Sequence, residues 1–172
     1  MLELKRLSVD DGPEIFRMLQ EIPKEENGFG KNANGMSYSE YQEWLAAKHR
    51  ESLREGILDG WKVPTTTYWL YADGIPVGFG KVRHCLTDAL RKAGGHIGYA
   101  IAPAHRGKGY GKELLRLLLQ KANEIGIEKA LVTVRLNNKA SQAVAFANGG
   151  VATDRTDERV LIWIDTERSF SK

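Results

Sequence analysis

The chain contains a single cysteine, Cys85, so no internal disulfide can form and nothing calls for an oxidising compartment. That thiol reads as core filler. His84 is adjacent in sequence and would point to the opposite face of a strand, leaving no partner to activate a nucleophile. No apolar run approaches bilayer-spanning length, and the opening residues, Met1-Leu2-Glu3-Leu4-Lys5-Arg6, lack the apolar stretch of a secretory signal. A cytoplasmic location without a membrane partner is the expectation. Internal repeats and low-complexity stretches are missing as well. The net charge of +3 is too small, and its basic residues too dispersed, for a nucleic-acid-binding face, and no helix-turn-helix signature is present.

What remains is ordinary globular material. A hydrophobic content of 42% with 27% charged residues suits a packed domain, and 172 residues suffice for one core but not comfortably for two. Residues 1–172 therefore read as a single domain.

The elements follow from periodicity and punctuation. Leu2, Leu4 and Leu7 suggest a first strand, and Asp11-Gly12-Pro13-Glu14 opens a helix carrying Ile15, Phe16, Met18, Leu19 and Ile22. Residues 23–36 read as a polar loop. Ser37-x-x-Glu40 is a capping box for a second helix, with Tyr38, Tyr41, Trp44, Leu45 and Leu53 along one side and Gly56 and Gly60 as terminators. Thr65 to Tyr71 and Ile75 to His84 form a hairpin about Asp73-Gly74, residues 86–94 read as a polar excursion, and Gly95 to Ala102 as a further strand. A leucine-rich helix over 108–125, a strand over 131–134, a small-residue helix over 138–148 and a closing hairpin, 151–154 with 160–164, complete the chain.

The most informative segment is Arg106-Gly107-Lys108-Gly109-Tyr110-Gly111, between a strand and the start of a helix. Alternating glycines let backbone N–H groups converge, the helix N-terminus adds unpaired donors, and Arg106, Lys108 and Lys112 add positive charge. Such a loop suits a diphosphate. It is not a phosphate loop of the Walker type, because Gly111-Lys112 is followed by Glu113 rather than a magnesium-binding hydroxyl. Nor does Gly107-x-Gly109-x-Gly111 match the Gly-x-Gly-x-x-Gly dinucleotide fingerprint.

Arg106-x-x-Gly109-x-Gly111, Asn138-x-x-Ser141 and the element order together resemble the GNAT superfamily of acetyl-CoA-dependent N-acyltransferases over nearly the whole chain. The segments Gly94-Gly95-His96-Ile97-Gly98-Tyr99, Asn148-Gly149-Gly150 and Trp163-Ile164 look like a bacterial branch of predicted acetyltransferases. The resemblance implies a mixed α/β (α+β) fold, a twisted and mostly antiparallel sheet of about seven strands with helices on both faces, splayed between strands 4 and 5 by a bulge in strand 4. It implies acetyl-CoA as co-substrate and no metal. Arg106, Gly107, Lys108, Gly109, Tyr110, Gly111 and Lys112 would hold the CoA diphosphate, Ile101 would offer its backbone N–H to the thioester, and Asn138 and Ser141 would lie beside the pantetheine arm.

Amine acetylation needs a neutral amine, a stabilised oxyanion and a proton for the departing thiolate. His96 and Tyr99 are the candidate catalytic residues on the fourth strand, with strand parity placing them on opposite faces, and His84 is a third candidate. Many family members carry a proton-donating tyrosine seven residues after the motif asparagine. Here that position is Ala145, followed by Phe146, which leaves water, Ser141 or Tyr99 as donors. Phe29, Tyr38, Tyr41 and Trp44 fall where the fold forms its acceptor pocket, though their spacing also suits core packing. The expected acceptor is a primary amine of a small molecule, an amino acid derivative, or a peptide or protein, and a homodimer is an open assembly. The alternative function is a non-catalytic acyl-CoA-binding sensor.

Overall fold

The computed structural model describes residues 1–26, 29–30, 32–53 and 62–167. Its elements run β1 (Leu2–Arg6), α1 (Pro13–Glu21), β2 (Glu25–Glu26), β3 (Phe29–Gly30), α2 (Tyr38–Ser52), β4 (Thr65–Ala72) and β5 (Ile75–Arg83). Then come α3 (Asp88–Lys92), β6 (Ile97–Ile101), a single 3-10 turn (Pro103–His105), α4 (Tyr110–Glu124), β7 (Lys129–Arg135), α5 (Lys139–Ala147), β8 (Val151–Arg155) and β9 (Arg159–Asp165).

Two sheets carry the fold: β1-β4-β5-β6 and β7-β9-β8, every neighbouring pair antiparallel. The break between β6 and β7 is the splay expected between strands 4 and 5. Alternation along the strands serves two cores. Leu70, Ile97, Ile101, Val132, Val134 and Ile162 face α4 and α5, whereas Trp69, Tyr71 and Phe79 face α1 and α2. The α4 stripe of Leu114, Leu115, Leu118 and Leu119 is almost wholly buried, worth about 1.5–3 kcal/mol per leucine before ordering costs. Ser37 and Glu40 form the expected capping box at α2.

Several expectations need correction. Residues 23–36 contain a short antiparallel ribbon, β2 with β3, in which Glu26 opposes Phe29. Within 86–94 lies α3, begun by the Thr87 side chain accepting the Leu90 N–H at 3.2 Å. Cys85 is exposed rather than core filler. No bulge interrupts β6, which keeps an unbroken register with β5 from Val82↔Ile97 to Gly78↔Ile101; the register shifts lie at Leu70/Tyr71 and Ala152/Asp154. Gly56 and Gly60 lie outside the described residues. Among those described, no helix is long and apolar enough to cross a membrane.

Candidate active site

A pin holds β6 and β7 together at one end. His96 N–H donates to Leu131 C=O at 2.8 Å, and Leu131 N–H returns a bond to His96 Nδ1 at 2.9 Å. Gly94 N–H adds a bond to Thr133 Oγ1 at 2.8 Å. Gly95, at φ +60°, is required here because a Cβ would fall 2.4 Å from Leu131 O. Past this pin the two strands separate around a cleft of about 590 Å³, lined by Ile97–Ile101 of β6, Val132–Arg135 of β7, the 105–112 segment and the start of α5.

Backbone groups of β6 face into that opening. Ala102 N–H donates to Val77 C=O at 2.8 Å, so ladder alternation turns Gly98, Ala100 and Ala102 toward β5, and Tyr99 and Ile101 toward the cleft. The Ile101 carbonyl accepts from Arg106 Nε at 2.9 Å. Its N–H points the same way.

At the far end, Gly107 and Gly109 adopt φ of +77° and +82°, left-handed conformations that place α4 directly after the loop. Gly109 is the N-cap of α4 and supplies no side-chain cap, so the first N–H groups of the helix remain available to an anion. Gly111 is already helical, and a Cβ there would meet Tyr99 and Val144 at ordinary van der Waals distance. Tyr110, Gly111 and Lys112 line the cleft, whereas Lys108 is exposed outside its lining. The Arg106 guanidinium is partly engaged: besides Ile101 it forms an ion pair with Glu26 at 2.6 Å.

Asn138 is the N-cap of α5, its Oδ1 accepting from Ser141 N–H at 3.2 Å, and both residues line the cleft. Tyr99 Oη lies 3.0 Å from Ser141 Oγ. Burial raises the Tyr99 pKa, with the Ser141 hydrogen bond opposing it, so the phenol is protonated at neutral pH. His96 sits on the other face, its ring edge toward Trp163, and is pushed down to about 4 by burial, then by Arg91 and Arg83. The expected opposition of His96 and Tyr99 is thus what the strand presents.

Other candidates are placed elsewhere. His84 Nε2 pairs with Thr66 Oγ1 at 2.7 Å and is outside the cleft lining. Tyr41 is fully buried and donates to Asp11 O at 3.1 Å, and Trp44 packs between Tyr41 and Trp69; both are core side chains. Tyr38 packs edge-on against Phe16 and tilted against Tyr41, and of the four aromatics only Phe29 lines the cleft. Ala145 is fully buried in the α4/α5 core and Phe146 points to solvent, so neither addresses the cleft. Sequence reasoning missed Glu26, the sole carboxylate in the cleft lining among the described residues. Its only signal was an acidic pair inside an otherwise Asn/Gly-rich loop.

Comparison with known proteins agrees with this geometry. No curated protein matches the chain. Among solved structures, Campylobacter jejuni N-acetyltransferase PseH in complex with acetyl coenzyme A is 12% identical, covering 96% of this chain and 99% of that one at a TM-score of 0.65. RimL, a ribosomal L7/L12 α-N-protein acetyltransferase in complex with coenzyme A, is 16% identical, with 95% and 93% covered and a TM-score of 0.66. A spermidine N-acetyltransferase SpeG chimera from Vibrio cholerae and hSSAT is 17% identical over 99% of both chains, at a TM-score of 0.63. At these identities the likeness establishes the fold. The family description "Acetyltransferase (GNAT) family" matches residues 33–147, well over half of the sequence. The chain belongs to the GNAT family of acetyltransferases.

Proposed function

We propose that the cleft takes acetyl-CoA as donor and passes the acetyl group to a primary amine of a small molecule or peptide. One observation carries this reading: the opening between β6 and β7 runs into the uncapped N-terminus of α4 and its glycine-turned loop. An extended thioester with an anionic tail matches that combination.

In this reading the backbone N–H groups of Gly107, Gly109, Tyr110 and Gly111 hold the diphosphate, with Lys112 and the outlying Lys108 supplying charge. Arg106 braces the loop against β6 through Ile101 and Glu26, and its two remaining guanidinium N–H groups are left for a phosphate oxygen. The Asn138 amide, whose oxygen caps α5, keeps its NH2 for a pantetheine carbonyl. Ile101 N–H polarises the thioester carbonyl from the splayed edge of β6.

The Tyr99–Ser141 pair replaces the tyrosine missing at Ala145 and donates to the departing sulfur. A thiolate pKa near ~8.5 lies below that of Tyr99, and each pKa unit is worth about 1.4 kcal/mol, so complete proton transfer runs uphill. The pair therefore stabilises the thiolate chiefly as a hydrogen-bond donor. His96 is given no catalytic part: with Nδ1 accepting from Leu131, its neutral tautomer carries the proton on Nε2 and has no lone pair left. Glu26 draws the protonated amine to the cleft, and the amine loses its proton through water.

The test is release of free thiol from acetyl-CoA across a panel of amines. Turnover of at least one amine, sensitive to Tyr99→Phe, is the expected result. The sensor reading is favoured by the Ala145 substitution, and CoA binding with no thiol release on any amine would establish it instead.

A further inference from the structure

Arg135 ends β7 in the cleft lining and stands directly opposite Arg159 of β9 in the strand register. Like charges at directly opposed positions repel. Both leave the sheet on one face, because their alternating neighbours Val134, Ile162 and Ile164 enter the α4/α5 core. Neither arginine forms an ion pair among the described residues, and Arg135 Nε is sealed from solvent without an acceptor. Burial, then Arg135, lowers the Arg159 pKa, against a smaller opposing pull from Glu158. A buried donor with nothing to donate to is costly, and a repelling pair compounds the cost. An anion meeting the terminal N–H groups of the pair relieves the repulsion.

The side of the sheet identifies which anion. The diphosphate loop opens at α4, on the face shared by Tyr99 and Ser141. Arg135 points to the opposite face, where the β2–β3 ribbon lies with Phe29 against Phe79 and Glu26 at the cleft. That face holds a carboxylate to meet an ammonium and a guanidinium pair to meet an acid. We infer that Arg135, backed by Arg159, binds a carboxylate of the acceptor, so that the acceptor is an amine of the amino-acid type. This rests on the amine-acetylation reading above.

The experiment compares kcat/KM for the genetically encoded amino acids and for their carboxamides, at saturating acetyl-CoA, in wild type, Arg135→Gln and Arg135→Lys. Wild type should prefer at least one acid over its amide by roughly tenfold to a hundredfold, as expected for a charge-assisted hydrogen-bonded pair. Arg135→Gln should bring the acid down to the level of the amide, and Arg135→Lys should restore part of the gap. The melting temperature should hold or rise in Arg135→Gln, since a repulsion is removed. Indifference to the carboxylate, or turnover confined to amines without one, overturns the inference while leaving acetyl transfer standing. Loss of CoA affinity in Arg135→Gln overturns it too, by assigning the anion to the donor's phosphates. A wild-type protein that binds no CoA removes the acetylation reading itself.

Discussion

The two faces of β6 were built in different ways. On one face, Tyr99 meets Ser141 and Ile101 packs toward α4, and the groups that would hold a donor come from two compact segments, residues 99–112 and 138–141. On the other, Gly98 lies beneath Phe29, and the charged groups arrive from Glu26, Arg135 and Arg159, far apart in the chain. A donor common to a family can be met by a short motif on a strand–loop–helix unit. An acceptor peculiar to one enzyme is met by side chains collected from several elements.

Substitutions on each face should therefore separate. The largest effect is expected from Gly109→Asp on the donor face. Open space surrounds the position and the left-handed backbone costs a non-glycine residue only about 1–2 kcal/mol, so the fold should survive while a negative charge enters the diphosphate site; CoA affinity should fall on the order of a hundredfold or more by calorimetry. Tyr99→Phe should lower kcat by roughly tenfold to a hundredfold with little change in the KM for acetyl-CoA, the pattern of a lost transition-state hydrogen bond. Ser141→Ala should act in the same direction and less strongly.

His96 belongs to neither list. Its folded pKa of about 4 lies below the ordinary 6.5, so the unfolded chain takes up the proton first as pH drops. Stability is whole above pH 6.5 and declines as pH falls toward 4, by about 3 kcal/mol in all, and His96→Gln should flatten this dependence in melting experiments. If His96→Gln instead removed an ionisation from the pH–rate profile, the imidazole would be catalytic after all. The smallest effect is expected from Glu26→Gln on the acceptor face: the half-exposed pair with Arg106 is worth less than about 1 kcal/mol to the fold, so the readout is a few-fold rise in amine KM.

Much of the fold was legible because its signals are local. The Ser37 capping box, the Asp73-Gly74 hairpin turn and the α4 leucine stripe each specify their element within a few residues. The Gly107 and Gly109 turns were legible for the same reason. The β2–β3 ribbon was not, since a two-residue strand has no periodicity and depends on Phe29 packing over Gly98 and Phe79. The origin of the splay was also hidden. A bulge in β6 was the expectation from resemblance, whereas β6 is regular and the opening begins where Gly95 and His96 cease to hold Leu131, a contact across 35 residues. Arg106 illustrates the remaining difficulty: spacing located it in the loop, but only its neighbours in space reveal that Ile101 and Glu26 hold its guanidinium.

The central claim is that the cleft between β6 and β7 is a CoA site, and calorimetry of the wild-type chain with CoA, ATP and NAD tests it most directly. Saturable binding of CoA, with no comparable heat from ATP or NAD, is the predicted result. No binding of CoA, or equal binding of all three, would contradict it.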